Sequence, residues 1–392
     1  MYPTPERPTN GIFVEQQIRG LRAKGVEIEI FFVDRLSQGM SCYYRMRRAL
    51  AAAVERFQPD LLHVMYGGVM ADQVTRQFPE RPLVVTFHGS DLFGENHSGW
   101  VRKWISHYGV RCSWRAAQRA REVVVVSRFL EALLPSGVDR SKVRINPCGV
   151  DLERFEPLDR EECRRRLGWA EDGFQVLFSS NAGDPVKRPA LAREAVALLR
   201  RSGIRAELHY LHDVPYADVP RWLNASDAVI LPSFQEGAST IVKEALACKV
   251  PVVSVDVGDV AERIEGIAGC YLAEPNADDL AEKLGRVWGA KPANGAPDSE
   301  IALTPPLSRP TGEGDRMSGE GFLVTVHALP RRVNGRQKMQ DFSIERIAAR
   351  LRDFYEEVLG TTRASRVPVP DPSGPTEACS LATANWQLAT ES

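Results

Sequence analysis

The stretch Leu231-Pro232-Ser233-Phe234-Gln235-Glu236-Gly237-Ala238-Ser239-Thr240-Ile241-Val242-Lys243-Glu244-Ala245-Leu246-Ala247 leads from an apolar run, through a polar loop, into a helical pattern. The run over 228–231 is short and apolar without polar alternation, the pattern of a strand buried on both faces. Glycine at 237 lets the backbone approach a ligand closely. The unpaired N–H groups of Gly237, Ala238, Ser239 and Thr240 at the helix start favour an anion, phosphate above all. Glu236 stands before that start and Glu244 more than a turn inside it. Two carboxylates at different depths beside an anion suit hydroxyl groups on either side of a diphosphate. From spacing alone, the plainer reading of a solvated loop glutamate and a surface-helix glutamate is favoured.

The same strand-like runs recur outward along the chain at 26–33, 61–65, 83–87, 123–126, 176–179, 206–211 and 252–255, with helical stretches between them. Continuous β-branched runs alternating with helices predict an α/β protein of doubly wound parallel sheets. A turn-rich segment, Asn146-Pro147-Cys148-Gly149-Val150-Asp151, divides the series in two. The expected organisation is a first Rossmann-like domain over 1–146 and a second over 147–288, facing each other across a cleft. Between Gly289 and Gly321 there are 6 Gly and 5 Pro in 33 residues and no aromatic side chain. That composition cannot build a core, so 289–340 is expected to be a disordered insertion. A helix is expected over 341–360, where Ile344, Ile347, Ala348, Leu351, Phe354 and Val358 recur at helical spacing, and a disordered tail over 361–392. The chain opens Met1-Tyr2-Pro3 and passes straight to a loop and helix, so the first strand of the N-terminal sheet is expected to be absent.

Composition bounds the function. Of 392 residues, 43% are hydrophobic and 26% charged, which is globular and excludes disorder throughout. The 50 basic and 51 acidic residues nearly cancel, which argues against a nucleic-acid binder held by bulk charge. Seven scattered cysteines without a C-x-x-C pair indicate neither a zinc site nor a disulfide framework. No apolar run reaches the ~20 residues that span a bilayer, and no secretory h-region opens the chain, so a cytoplasmic protein is expected.

The stretch from Leu231 to Ala247 resembles the signature of retaining glycosyltransferases of family four, which have the two-domain glycosyltransferase B fold. Their paired glutamates, separated by seven residues, match Glu236 and Glu244. The resemblance continues through Lys249-Val250-Pro251-Val252-Val253 and Val257-Gly258-Asp259-Val260-Ala261-Glu262. In the first half it includes Pro59-Asp60-Leu61-Leu62-His63, Thr86-Phe87-His88-Gly89-Ser90-Asp91, Val125-Val126-Ser127 and the 146–151 segment with Phe155 and Pro157. It covers roughly residues 2–290 and the final helix. It implies that Glu236 holds the donor sugar's hydroxyls and Glu244 the ribose, and that Lys187, in Asp184-Pro185-Val186-Lys187-Arg188, contacts the donor diphosphate. Family members often carry a further basic residue upstream, where Ser179, Ser180, Asn181 and Ala182 stand here; Arg188 is the candidate for that second charge. His88 is expected against the transferring sugar and phosphate. Asp91 is expected to orient its loop or face the acceptor, and Gly11, in Asn10-Gly11-Ile12, to lie near the donor phosphate.

The resemblance further implies transfer from a nucleotide sugar to a saccharide or lipid-linked acceptor with retained configuration. No Asp-x-Asp occurs to anchor a metal, so neither a metal nor another cofactor is expected. Segment 97–121 holds six basic residues (Arg102, Lys103, Arg111, Arg115, Arg119, Arg121) and no acidic one, with Trp100, Val101, Trp104, Ile105 and Tyr108 on one helical face. Such a face either packs into the core or touches an anionic membrane. Other readings are a nicotinamide dehydrogenase, disfavoured because no G-x-G-x-x-G follows a strand, a sugar-nucleotide epimerase, and a non-catalytic scaffold in polysaccharide assembly.

Overall fold

The computed structural model describes residues 2–4, 11–95, 99–180, 184–289 and 332–365. The first sheet contains β1 (Leu62–Val64), β2 (Leu83–Phe87), β3 (Glu122–Val125) and β4 (Val143–Ile145), all parallel, in the order β1-β2-β3-β4. The second contains β5 (Phe174–Phe178), β6 (Ala206–Tyr210), β7 (Ala228–Leu231), β8 (Val252–Val255) and β9 (Tyr271–Ala273), again all parallel. Strands β2, β5, β7 and β8 are buried at every position, which is why each reads as a largely apolar run, with Thr86, Gln175 and Ser254 the polar exceptions, rather than an alternating one. Two parallel-sheet α/β domains of this kind make the glycosyltransferase B fold.

The second sheet runs β6-β5-β7-β8-β9, so the winding direction reverses between β5 and β7. Loops leaving neighbouring strands at such a reversal diverge and leave a crevice at the carboxyl ends. The loops after β5 and β7 therefore bound the natural ligand site of this domain.

The doubly wound order expected of both sheets is present only in the second, among the described strands. Segment 26–33 has no regular secondary structure and joins no ladder. It is held by other means: Val26 N–H donates to Leu21 O, Arg22 donates to Ile28 O, and Glu29 pairs with Arg56. Val26 and Ile28 also pack on a cluster of Leu21, Val84, Val124, Ala348, Leu351, Phe354 and Val358. Apolar burial thus fixes this segment without strand pairing. Two strands escaped the sequence reading, β4 and β9, each of three residues and too short for a periodic signal.

Two further expectations need correction. Residues 332–340 do not belong to a disordered insertion. Val333 and Met339 are buried, and a short helix, Gly335–Met339, packs on Leu246. Arg336 donates to the carbonyls of Phe155, Ala247 and Leu152, and Arg332 to that of Asn224. The Gly- and Pro-rich composition ends at Gly321, and carrying the expectation on to 340 overlooked these few anchoring side chains. The remainder of the insertion, 290–331, lies outside the described residues, as does the tail beyond Ser365. The last helix, Ile344–Ser365, continues past Gly360, which therefore does not end it.

That helix crosses back to the first domain. Leu351, Phe354 and Val358 bury against the first sheet, and His63 of β1 bonds to the Tyr355 hydroxyl. The chain thus passes between domains twice, at 146–151 and again at 342–344. The two passages are hydrogen-bonded side by side, Val150 N–H to Phe342 O at 2.8 Å and Ile344 N–H to Val150 O at 3.1 Å. Among the described residues, no helix is long and apolar enough to cross a membrane.

Candidate active site

At the reversal point of the second sheet, Lys187 leaves the β5 loop and Glu236 leaves the β7 loop, and their side chains meet: Lys187 Nζ donates to Glu236 Oε1 at 2.7 Å. The two loops are also tied through their backbones, Phe234 N–H donating to Val186 O at 2.7 Å. The structure therefore brings together two residues that are 49 apart in sequence. Both retain some solvent access, so the pair stands at a cleft wall rather than in the core.

Glu236 is followed by the helix start. The helix spans Thr240–Ala247, and Ser239 offers no side-chain cap. The Ser239 amide donates to Asp259 Oδ1 at 3.2 Å, while the other oxygen of Asp259 takes Arg263 Nε at 2.8 Å. One of the four expected amide donors is thus already engaged, by a buried carboxylate that the sequence reading placed only within the resemblance. Among the described residues no partner takes the amides of Gly237, Ala238 or Thr240. Amides at a helix start without intramolecular acceptors are the geometry that binds phosphate.

Gly237 is where the two domains touch. Its carbonyl accepts the Ser127 hydroxyl at 2.7 Å, and an added Cβ at Gly237 would lie 1.9 Å from the His88 carbonyl oxygen and 3.0 Å from Gly89 Cα. Gly89 has φ 149°, a conformation that side chains resist, and its own missing Cβ would meet Gly237 Cα at 3.3 Å. Two glycines, one from each domain, allow backbone to lie against backbone beside the Lys187–Glu236 pair.

His88 ends this contact on the first domain. Its ring lies against Phe13, near-parallel to Tyr66, with Nδ1 3.9 Å from Cys148 Sγ of the interdomain linker. Burial pushes its pKa down to about 3, so the ring is neutral at physiological pH and can donate through one nitrogen while accepting through the other. Gly11, in the left-handed region at φ 76°, opens the helix Ile12–Ala23 that carries Phe13 to the His88 ring.

Two expected site residues have other work. Asp91 is buried, and its carboxylate accepts the amides of Gly67 at 2.9 Å, Gly89 at 2.8 Å and His88 at 3.1 Å. It shapes the loop, the first of the two roles expected of it. Burial raises its pKa, and those three amides oppose the rise. Arg188 turns away from the Lys187–Glu236 pair: it sits at φ 54°, and its guanidinium donates to Pro275 O at 3.0 Å. The left-handed backbone at the helix start sends its side chain outward, so the second positive charge does not come from Arg188.

Glu244 is buried on the second turn of the Thr240–Ala247 helix. Burial pushes its pKa up to about 7, with lesser opposition from the Tyr216 hydroxyl bond and from Lys243 and Arg154. Oε1 accepts from the Tyr216 hydroxyl at 2.9 Å. Sequence reasoning missed Tyr216 and Gln16, whose partners lie 28 and 200 residues away in the chain. It quoted Ser127, Cys148 and Asp259 within motifs but gave them no role, because their partners lie far away in the chain.

Comparison with known proteins follows this geometry. Residues 11–154 match the Glycosyltransferase Family 4 model, and residues 180–289 match Glycosyl transferases group 1. The chain is 27% identical over 352 residues to a Bacillus subtilis protein named "Putative teichuronic acid biosynthesis glycosyltransferase TuaC", covering 73% of this chain and 87% of that one. Its fold is similar to that of sucrose-phosphate synthase from Thermosynechococcus elongatus, with TM-score 0.64, 17% identity, and 89% of this chain and 93% of that one covered. It is also similar to Anabaena Alr3699/HepE in complex with UDP-glucose, with TM-score 0.55, 16% identity, and 84% and 85% covered.

Proposed function

We propose that the chain, which has the two-domain glycosyltransferase B fold and is similar to the Glycosyltransferase Family 4 and Glycosyl transferases group 1 models, moves a sugar from a nucleoside-diphosphate donor to a saccharide or lipid-linked acceptor, with retention of configuration and without a metal ion. The observation that carries this reading is the Lys187–Glu236 pair at the sheet reversal, beside a helix start with free amides and pressed against His88-Gly89 of the other domain. The name of the Bacillus relative favours a cell-surface polysaccharide acceptor, and the UDP-glucose bound to the Anabaena neighbour favours a nucleotide sugar as donor.

The chemistry follows from the charges. Lys187 and the amides of Gly237, Ala238 and Thr240 neutralise the diphosphate as the bond from the sugar's anomeric carbon to phosphate oxygen breaks and its electron pair moves onto that oxygen. The sugar centre becomes oxocarbenium-like. The acceptor hydroxyl forms its new bond on the same face, and its proton passes to the departing phosphate oxygen. Glu236 takes hydroxyls of the donor sugar, and neutral His88 supplies a hydrogen bond on the opposite wall. Closure of the domains at Gly237 keeps water away from the activated donor.

The test is a panel of UDP-, GDP- and ADP-sugars incubated with the full chain, with and without EDTA, and with products read by NMR. Retained anomeric configuration, unaffected by EDTA, is expected. An inverted product or loss of turnover with EDTA overturns those parts of the reading, and release of an epimerised nucleotide sugar without transfer favours the epimerase.

The helix Trp100–Arg119 bears on where the enzyme works. Its second half buries Cys112, Ser113, Ala116 and Ala117, while Trp100 is 81% and Trp104 65% exposed, with Val101, Ile105 and Tyr108 also outward. Arg115 and Arg119 are held by Asp72, which leaves Arg102, Lys103 and Arg111 on the rim. Exposed aromatics beside basic residues suit the headgroup layer of an anionic membrane and so a lipid-linked acceptor. Co-sedimentation with phosphatidylglycerol vesicles is expected to exceed that with phosphatidylcholine, and Trp104→Ser to reduce it; equal binding to both lipids removes the membrane contact.

A further inference from the structure

We propose that Tyr216 is a positioning residue for the donor's ribose: its hydroxyl holds the Glu244 carboxylate in place and fastens it, through Gln16, to the opposite domain. The proposal rests on the reading of Glu244 as the ribose acceptor.

Tyr216 lies in the loop between β6 and the helix Val219–Ala225. Its hydroxyl oxygen is 2.9 Å from Glu244 Oε1 and 2.6 Å from Gln16 Nε2. A phenol has one proton, and an amide nitrogen only donates, so both directions are determined: Gln16 donates to the tyrosine oxygen, and Tyr216 donates to the carboxylate. The tyrosine ring cannot swing freely, because Phe155 meets it edge-on at 5.5 Å between centroids and the Arg154 guanidinium lies 5.0 Å from its centroid. Phe155 is itself fully buried. Glu244 Oε1 is thus held by a fixed donor, which leaves Oε2 for a ligand hydroxyl.

Gln16 is on the helix Ile12–Ala23 of the first domain, 200 residues from Tyr216. The chain of three groups is therefore complete only when the domains are together. A donor bond into the tyrosine oxygen polarises its O–H and strengthens the bond it gives. Closure and ribose capture reinforce each other through one hydroxyl.

The closing experiment is calorimetric titration of the full chain with whichever of uridine, guanosine and adenosine diphosphate binds most tightly, repeated across neutral pH. Ligand hydroxyls donate to an ionised carboxylate, so affinity is expected to rise as pH passes upward through about 7, where Glu244 ionises. Lys243 and Arg154 face Glu244 and favour ionisation; Cys248, with its thiol pKa raised, is its other titratable neighbour. Tyr216→Phe removes a donor to the ionised form. It is expected to weaken binding roughly tenfold and to move the pH midpoint upward. Gln16→Leu leaves the second domain intact and is expected to lower kcat several-fold and to move the midpoint upward by less than Tyr216→Phe does. Parental affinity and midpoint in Tyr216→Phe overturn the positioning role, and an unchanged kcat in Gln16→Leu overturns the link between domains. Glu244→Gln separates the two readings. If it abolishes the pH dependence while Tyr216→Phe does nothing, Glu244 keeps its role and Tyr216 loses its own; if it binds as the parent does, both fall.

Discussion

Gly237→Ala is expected to lower transfer by roughly 10²-fold or more while nucleoside diphosphate binding changes little. Its Cβ would lie 1.9 Å from the His88 carbonyl oxygen, far inside any contact distance, and the atom in the way is backbone rather than a movable side-chain tip. Relief requires the domains to separate locally. That movement also breaks the Ser127 hydroxyl bond to Gly237 O at 2.7 Å and withdraws His88 from the sugar's wall of the cleft. The elements proposed to bind the diphosphate, Lys187 and the amides of Gly237, Ala238 and Thr240, all belong to the second domain and survive. The variant should therefore fold normally by circular dichroism and bind nucleoside diphosphate by calorimetry, yet fail in a transfer assay. Transfer within a few-fold of the parent would mean that closure at this glycine contact is not part of turnover.

Lys187→Met and Glu236→Gln are each expected to lose roughly 10²–10³-fold in kcat, but for separable reasons. In the proposed mechanism Lys187 faces charge that develops on the diphosphate, so its loss should weaken nucleoside diphosphate binding as well as turnover. In the same mechanism Glu236 faces the sugar, so Glu236→Gln should bind the bare nucleotide nearly as the parent does and fail only in transfer. Because the two side chains are paired at 2.7 Å without a ligand, their effects on nucleotide binding should not add. Removing Glu236 frees the lysine from a competitor, which offsets part of any loss. Equal weakening of bare nucleotide binding by both substitutions would contradict the division of roles.

The candidate site was legible where local backbone chemistry announces itself. Apolar runs such as those at β2, β7 and β8 are visible because strands buried on both faces admit no polar alternation. The helix start after Gly237 is visible because glycine, loop and periodic helix follow one another within a few residues. Arg188 was misassigned because its neighbour Lys187 shares the loop, whereas its left-handed backbone, invisible in a residue string, turns the side chain to Pro275. For Asp91 two roles stood open in the sequence, ordering its loop or facing the acceptor, and only the fold displays the three backbone amides that its carboxylate accepts. The 332–340 segment was overlooked because the expectation drawn from the Gly- and Pro-rich composition was carried past Gly321.

Residue order alone thus carried the class of fold and the strand, loop and helix order around Gly237, since apolar runs and helix starts are written in neighbouring residues. Folding in three dimensions settled which charges meet and which domain each wall of the cleft comes from. The Lys187–Glu236 pair, the Gly237 contact with His88, and the Gln16–Tyr216–Glu244 bonds join residues 49, 149, 200 and 28 positions apart. Hydrogen bonds and steric exclusion act over a few ångströms of space whatever the separation along the chain, so such partners are revealed only once the two sheets and the crossing helix have brought them together.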